Sequence, residues 1–220
     1  MAKQNEHGKL IAAAAKAALL PLGCVRKGQS RAWFSDERYW YISIEFQPSS
    51  WSKGTYFNVF PVWLFLRPWP GEPIHRVGNY IYFESVDQFR PLIEEGAKLV
   101  AAEVAALRTK FKSLQDIHQF FAGKLSWSGN IYRAAITAGL VGDVALAHQL
   151  FARVKALDPD RRWIHAWKIQ EDCAALDTLL DDPVAYRSAI LERIAARRAD
   201  RGLPADPHCL DSLPLPVPSP

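Results

Sequence analysis

The sequence has few cysteines and lacks the short motifs that mark the common catalytic centres. Its three cysteines, Cys24, Cys173 and Cys209, lie far apart, so neither a zinc-knuckle spacing nor an even-numbered disulfide framework is present. There is no glycine-rich phosphate loop, no His-Glu-x-x-His, no Gly-x-Ser-x-Gly and no Cys-x-x-Cys. We therefore predict no metal and no cofactor, and the cysteine usage favours a reducing, cytoplasmic setting.

The chain also lacks a strong charge of one sign and a long apolar run. Its 27 Lys and Arg against 23 Asp and Glu give a net charge of +4, and the basic excess is spread over the first two-thirds of the chain. A dedicated nucleic-acid-binding protein usually concentrates its basic residues on one element. No stretch of about 18 uninterrupted apolar residues occurs, so no membrane span and no membrane partner are expected.

Apolar residues are plentiful, at 49% of 220, which is enough for one good core or two small ones. The stretch KLIAAAAKAALLPLG starts as a secretory signal would, but Lys16 interrupts its apolar run. The alternative is an amphipathic helix that ends at Pro21 and Gly23. Its predicted apolar stripe consists of Leu10, Ala13, Ala14, Ala17 and Leu20.

After this helix the apolar period changes from 3.6 to 2, which predicts a sheet of about four antiparallel strands. In YWYISIEFQ the alternating residues from Trp40 to Phe46 share one face. The other strands are SRAWFSD, TYFNVFPVWLFLR and GNYIYFES. Pro61 cannot donate to a ladder and is therefore placed at an edge or a bulge. Residues 62–66 are apolar on both faces, so that end of the sheet is expected to be covered on both sides.

The two longest strands predict a hairpin whose register brings their apolar faces together. The predicted pairs are Ile44–Val59, Glu45–Asn58, Phe46–Phe57 and Gln47–Tyr56. The connecting loop, PSSWSKG, carries Trp51. Either Trp51 folds back over the hairpin as a lid, or it belongs to a contact site. The residues of the predicted binding site are Gln47, Ser49, Ser50, Trp51 and Asn58, next to the sheet face that bears Tyr41 and Glu45.

Beyond Ser85 the period returns to 3.6 and predicts a long helix that covers the sheet. Ser85 and Gln88 have the spacing of a capping box, as do Ser113 and Asp116 at the next helix. The apolar face of the long helix is predicted to contain Phe89, Leu92, Ile93, Val100, Val104, Leu107 and Phe111. Further helices start at N-caps Asp143 and Asp182. We predict an α+β protein with an α+β domain over residues 1–125, an antiparallel helical extension over 126–203 and a Pro-rich tail over 204–220.

Two stretches resemble known families. The motifs AGLVGD, ALAHQLF and LDP resemble one tetratricopeptide unit, but a solenoid needs about three stacked repeats, so we interpret them as a generic helix pair. Over about residues 10–125, LLPLGCVRKGQSRAW, FQPSSW and YFNV occur in the order typical of a bacterial family called domain of unknown function 4304. The chain resembles that family, although the large residues around Trp63 and Trp69 and the helical C-terminal portion depart from it. The family name implies no activity.

Isolated ionisable residues provide weaker candidates. His118, His148 and His165 lie on predicted helices, where a single histidine is usually structural. Asp177, Asp181 and Asp182 could resemble a metal site, but Asp182 is needed as a cap and the others are expected to be solvated. Arg193, Arg197 and Arg201, with Arg198 beside them, recur at helical spacing, which is typical of a solvated face near a helix C-terminus.

The leading hypothesis for function is a non-enzymatic protein-binding module, a class that by analogy includes bacterial immunity and defence-accessory proteins. The alternative is nucleic-acid binding, in which sheet aromatics stack bases and basic residues hold the backbone. An enzyme with a dispersed active site is a third hypothesis. The residues of the nucleic-acid alternative are Arg31, Trp33, Lys53, Arg193, Arg197 and Arg201, with Tyr41 and Trp51 as further stacking residues.

Overall fold

The computed structural model describes residues 6–67, 75–126, 128–157 and 166–211. Trp69, His165 and the last part of the Pro-rich tail, all named in the sequence predictions, lie outside the described residues. The fold is α+β, as predicted, with an N-terminal helix, an antiparallel sheet and several further helices. The described residues divide into two compact units, one within Met1–Trp63 and Trp69–Lys110 and the other within Leu64–Pro68 and Phe111–Pro220.

The first unit contains the sheet and two long helices. Helix α1 is Glu6–Leu19 and is followed by a 3-10 turn, Leu20–Leu22, which ends at Gly23. The five strands follow in the order of the sequence, each antiparallel to the next. They are β1 (Val25–Arg26), β2 (Ala32–Asp36), β3 (Trp40–Gln47), β4 (Gly54–Trp63) and β5 (Ile81–Tyr82), and helix α2 is Val86–Lys110. The extra strand relative to the prediction is β1, which at two residues is too short to show an alternating pattern.

The predicted hairpin register is confirmed. Strand β3 pairs with β4 as Ile44–Val59, Glu45–Asn58, Phe46–Phe57 and Gln47–Tyr56. The backbone of Phe57 and Val59 bonds outward to residues 75–77, so alternation directs the nitrogen of Pro61 to that same outer edge. Proline is tolerated there because no ladder donor is needed.

The core of the first unit lies between the sheet and α2, and α1 packs against α2. Ile42, Ile44, Val59, Val100 and Val104 are all fully buried, as the apolar periodicity predicts. On α2 the prediction was wrong for Leu92, which is exposed. Ser85 caps the helix by accepting from the Gln88 N–H, but the Gln88 side chain bonds to the backbone of Glu84 and Tyr82 rather than closing a capping box.

The predicted apolar stripe of α1 was wrong by about one position. Of its five members only Ala14 is buried, while Ala13, Ala17 and Leu20 are exposed and Leu10 is half-buried. A run of alanines is apolar on every side, so its periodicity does not identify the packed face. The buried face is instead set by the larger side chains and contains His7, Ile11, Ala14, Ala15 and Leu19.

The second unit is helical. Helices α3 (Leu114–Ala122), α4 (Ser128–Val141), α5 (Val144–Lys155) and α6 (Ala166–Asp177) pack consecutively, and α7 (Pro183–Arg201) packs against α4. The Ser113–Asp116 capping box and the Asp143 and Asp182 caps are all present. In the predicted tail, residues 207–211 form a turn in which Cys209 and Leu210 are fully buried.

The second unit also contains the residues that follow β4. The sequence predicted a strand continuing to Leu66, but β4 ends at Trp63. Leu64, Phe65 and Leu66 are buried as residues of the helical unit rather than as strand residues. In the part of the chain that the structure describes, no helix is long and apolar enough to cross a membrane.

Candidate functional site

The loop between β3 and β4 is held firmly at its C-terminal end. The Ser52 and Tyr80 hydroxyl oxygens lie 2.8 Å apart, and the Tyr80 hydroxyl also donates to the Ser52 carbonyl at 3.0 Å. Gly54 has a φ of +149°, and a Cβ at this position would lie 2.1 Å from the Ile81 carbonyl oxygen. Only glycine fits here, because the backbone conformation and the close approach both exclude a side chain. The loop is therefore anchored to the chain segment that leads into β5.

Trp51 lies at the exposed tip of this loop. Trp51 is 95% exposed, the largest value among the large apolar residues that the structure describes. The Trp51 N–H donates to the Ser49 hydroxyl oxygen at 3.1 Å, a local turn that fixes the backbone before the indole. Of the two alternatives for Trp51, the lid is wrong, because the indole does not pack over the hairpin.

The other residues of the predicted site divide into exposed and buried sets. Ser50 is exposed, and Gln47, Ser49 and Glu45 are half-buried. Asn58 is fully buried, and its amide nitrogen donates to Gln47 Oε1 at 2.9 Å and to Glu45 Oε2 at 3.3 Å. Asn58 thus orients two neighbouring side chains and is not itself open to a partner. Tyr41 is buried as well, so it does not belong to an open face.

A row of tyrosines beside the loop was not predicted as part of the site. The rings of Tyr56 and Tyr80 are 4.4 Å apart, and those of Tyr80 and Tyr82 are 4.6 Å apart. Arg76 stacks on Tyr56 with its guanidinium carbon 4.0 Å from the ring centroid. Tyr82 is 60% exposed. In the sequence Tyr80 and Tyr82 alternate with Ile81, and this period of two could have predicted that both rings lie on one face of the strand.

The residues of the nucleic-acid alternative are divided between the two units, and several of them are buried. Trp33 is buried in the first unit, so its ring cannot stack a base. In the second unit, Arg197 is buried and donates to the Leu66 carbonyl at 2.7 Å, while Arg193 is bound to Asp172. The prediction of a solvated arginine face was wrong for Arg197 and Arg198, which are buried, and holds for Arg201, which is exposed. Arg31 and Lys53 belong to the first unit and lie near the Trp51 loop.

A buried ionic cluster in the second unit was not predicted from the sequence. Asp172 accepts from Arg67 Nε at 2.6 Å, from Arg193 Nη2 at 2.7 Å and from the Tyr132 hydroxyl at 2.5 Å. Arg193 also donates to the Phe65 carbonyl at 3.3 Å. Burial, together with the Asp172 charge, raises the pKa of Tyr132 well above its usual range, which keeps it a hydrogen-bond donor. The cluster satisfies its own donors and acceptors and therefore has a structural role.

The candidate histidines and acids are engaged in local structure. His118 Nδ1 lies 3.1 Å from the Thr137 hydroxyl, and burial lowers the pKa of His118. His148 lies between Asp177 (2.7 Å) and Asp181 (3.4 Å); burial lowers the His148 pKa, but these hydrogen bonds outweigh burial and raise it. Among the described residues, no group of three or more His, Cys, Asp or Glu side chains could hold a metal ion.

None of the three cysteines is in a disulfide, and all three are buried. Burial raises the pKa of Cys24 and of Cys173, so neither is poised as a thiolate. No nucleophile with an activating base is therefore formed at these two thiols.

Comparison with known proteins found no match to any family model, to any curated protein or to any solved structure. The resemblance to the domain of unknown function 4304 family over residues 10–125 therefore stays a prediction.

Proposed function

We propose that the protein is a binding module that recognises another protein through the loop carrying Trp51. The observation that carries the proposal is the 95% exposure of Trp51 at the tip of an anchored loop. A large aromatic side chain left in water adds nothing to folding, whereas tryptophan is enriched among the residues that dominate protein–protein binding energy. Anchoring by Ser52, Gly54 and Tyr80 reduces the entropy that the loop would lose on binding.

The tyrosine row extends the surface available to a partner. Tyr82 is exposed and the ring of Tyr80 contacts both Tyr82 and Tyr56, so the three rings support one another's positions. Tyrosine supplies a large contact area and a polar hydroxyl at low conformational cost, which suits a protein interface. We include Tyr82 in the proposed contact surface on this ground.

The nucleic-acid alternative loses several of the residues on which its prediction from the sequence rested. Base stacking needs exposed rings in series with cations along a backbone track. Trp33 and Tyr41 are buried, and Arg193 and Arg197 donate to groups of their own unit. Of the members of this set that belong to the first unit, Trp51, Arg31 and Lys53 lie at the loop.

The test is capture of a partner by the immobilised protein from a lysate of its source organism, with and without nuclease. We expect a captured protein that resists nuclease and that is lost when Trp51 is changed to alanine, because removing an anchoring aromatic costs about 2 kcal/mol or more, roughly thirtyfold in affinity. The thermal midpoint should not change, since the indole makes little contact within the fold.

Val184→Ala is the matched control, because Val184 is another exposed apolar side chain, at 63%, located in the second unit. This variant should capture the partner as the unchanged protein does. Capture that survives Trp51→Ala, or that disappears on nuclease treatment, would contradict the proposal.

A further inference from the structure

Arg31 is a partly buried cation without a counter-charge. Its Nη2 donates to His7 Nε2 at 3.3 Å, and its Nη1 is buried without a hydrogen-bond partner. Over the residues that the structure describes, no carboxylate lies within ion-pair distance of this guanidinium. Arginine is rarely buried unless it is paired, because an uncompensated charge out of water is costly. The surroundings of Arg31 thus lack a negative charge that would balance the guanidinium.

His7 orients Arg31 without neutralising it. Guanidinium nitrogens can only donate, so His7 Nε2 must accept and the proton of the neutral ring lies on Nδ1. His7 is only 7% exposed, packs against Phe83 and Phe89, and its Nδ1 is also buried without a partner. Burial, followed by the charges of Arg31 and Lys53, lowers the pKa of His7 and keeps the ring neutral.

Arg31 and Lys53 lie at the two ends of the Trp51 loop. The Arg31 carbonyl accepts from the Phe46 N–H at 3.1 Å, one residue before β3 ends and the loop begins. Lys53 is the last residue before β4, and its carbonyl accepts from the Phe83 N–H at 3.0 Å. Lys53 is exposed and, among the described residues, has no ion-pair partner. Two cations without an ion-pair partner therefore flank Trp51, the most exposed aromatic residue among those that the structure describes.

We propose that Arg31 and Lys53 receive the carboxylates of an acidic segment of the partner protein, an inference that rests on the proposed function of the Trp51 loop. Because Nη1 is shielded from solvent and Nη2 contacts His7, the carboxylate would approach the part of the half-buried Arg31 side chain that is exposed, and the exposed Lys53 adds a second positive charge. Burial of Trp51 by the partner would exclude water from this ion pair and strengthen it.

The test uses a fluorescein-labelled hexaglutamate peptide, with hexaglutamine as the neutral probe and a twelve-nucleotide single-stranded oligonucleotide as the phosphate probe. Binding is followed by fluorescence anisotropy at low and at physiological ionic strength. We expect hexaglutamate to bind, hexaglutamine not to bind, and Arg31→Met to weaken hexaglutamate binding about tenfold, in keeping with the loss of one charge-assisted pair. Arg31→Lys should lose less, because it keeps the charge but not the fork geometry.

The control is Lys98→Met, which removes an exposed cation of α2 that already pairs with Glu95 at 3.2 Å. It should leave hexaglutamate binding unchanged, and thermal melts of all variants establish that each is folded. The inference is overturned if hexaglutamate does not bind, if Arg31→Met and Lys98→Met have the same effect, or if the oligonucleotide binds more tightly and depends on Arg31. In each of these cases a nuclease-resistant partner that still depends on Trp51 would leave the proposed function standing.

Discussion

At the scale of single residues, two aspartates of α6 show that surroundings decide what a side chain does. The Asp172 side chain is 2% exposed and accepts from two arginines and a tyrosine. Asp177, five residues further along the helix, pairs with Lys155 at 2.6 Å and with His148 at 2.7 Å, and both of those partners are more than a third exposed. Asp172 therefore links buried groups within the second unit, whereas Asp177 belongs to a surface network.

We expect Asp172→Asn to cost about 3 kcal/mol or more in the free energy of unfolding, because it leaves Arg67 and Arg193 without their shared counter-charge. Asp177→Asn, the same change on the same helix, should cost less than about 1 kcal/mol, since exposed pairs contribute little. Urea denaturation of the two variants measures both values. Equal losses would show that the Asp172 cluster is no more important to stability than a surface pair.

Only those features of the candidate site that depend on local sequence patterns could be predicted from the sequence. The loop and the facing of Glu45, Gln47 and Asn58 follow from alternation and turn chemistry. The exposure of Trp51 does not follow, because the sequence left a packed lid and a contact residue as alternatives. The burial of Asn58 does not follow, because alternation tells which face a side chain is on and not what covers it. The absence of an acidic partner for Arg31 could not be predicted from the sequence either, because three separate segments of the chain form the surroundings of Arg31.

At the scale of elements, prediction succeeded where side-chain size and period agree. Strands β3 and β4 alternate large apolar with polar residues, so both their existence and their register were correct. Helix α1 consists largely of small apolar residues, and its packed face was wrong for that reason. Strand β5, two residues long, is held by pairing with Gly54 and Thr55 rather than by its own pattern.

The approach of α2 to the sheet depends on Gly96. A Cβ at this position would lie 2.4 Å from Phe57 Cζ and 3.2 Å from Ile81 Cδ1, so the ring occupies the space that a side chain would need. We expect Gly96→Ala to destabilise the protein by about 1–3 kcal/mol through overpacking, although alanine is the better helix former by about 1 kcal/mol.

Gly8→Ala in α1 is the control for this effect. The added Cβ would meet Arg31 Nη2 at 3.6 Å, an ordinary contact, so the change should be neutral or stabilising by up to about 1 kcal/mol. Thermal and urea denaturation of both variants give the comparison. If Gly96→Ala stabilises the protein as much as Gly8→Ala, α2 does not pack as closely on Phe57 as the structure indicates.

At the scale of the whole molecule, the two units are not two consecutive stretches of the chain. The chain leaves the first unit after Trp63, contributes Leu64–Pro68 to the second, and returns to the first before α2. Arg193 and Arg197 donate to the carbonyls of Phe65 and Leu66, which lie more than 120 residues earlier in the sequence. No local sequence pattern indicates that residues 65 and 66 bond to these distant arginines. A prediction based on the continuous apolar run therefore extends β4 beyond its observed end at Trp63.

Two phenylalanines eight positions apart provide the test of this division, because Phe57 belongs to the first unit and Phe65 to the second, and both are fully or almost fully buried. Replacing either with alanine should cost about 3–5 kcal/mol through lost burial and the cavity left behind. In hydrogen exchange measured by mass spectrometry, Phe65→Ala should reduce the protection of α4, α6 and α7 more than that of β3 and β4. Phe57→Ala should produce the reverse pattern, since local opening follows the cooperative unit in which a contact is lost. Loss of protection in the strands on Phe65→Ala equal to that in the helices would show that residues 64–68 stabilise the sheet as much as the helical unit.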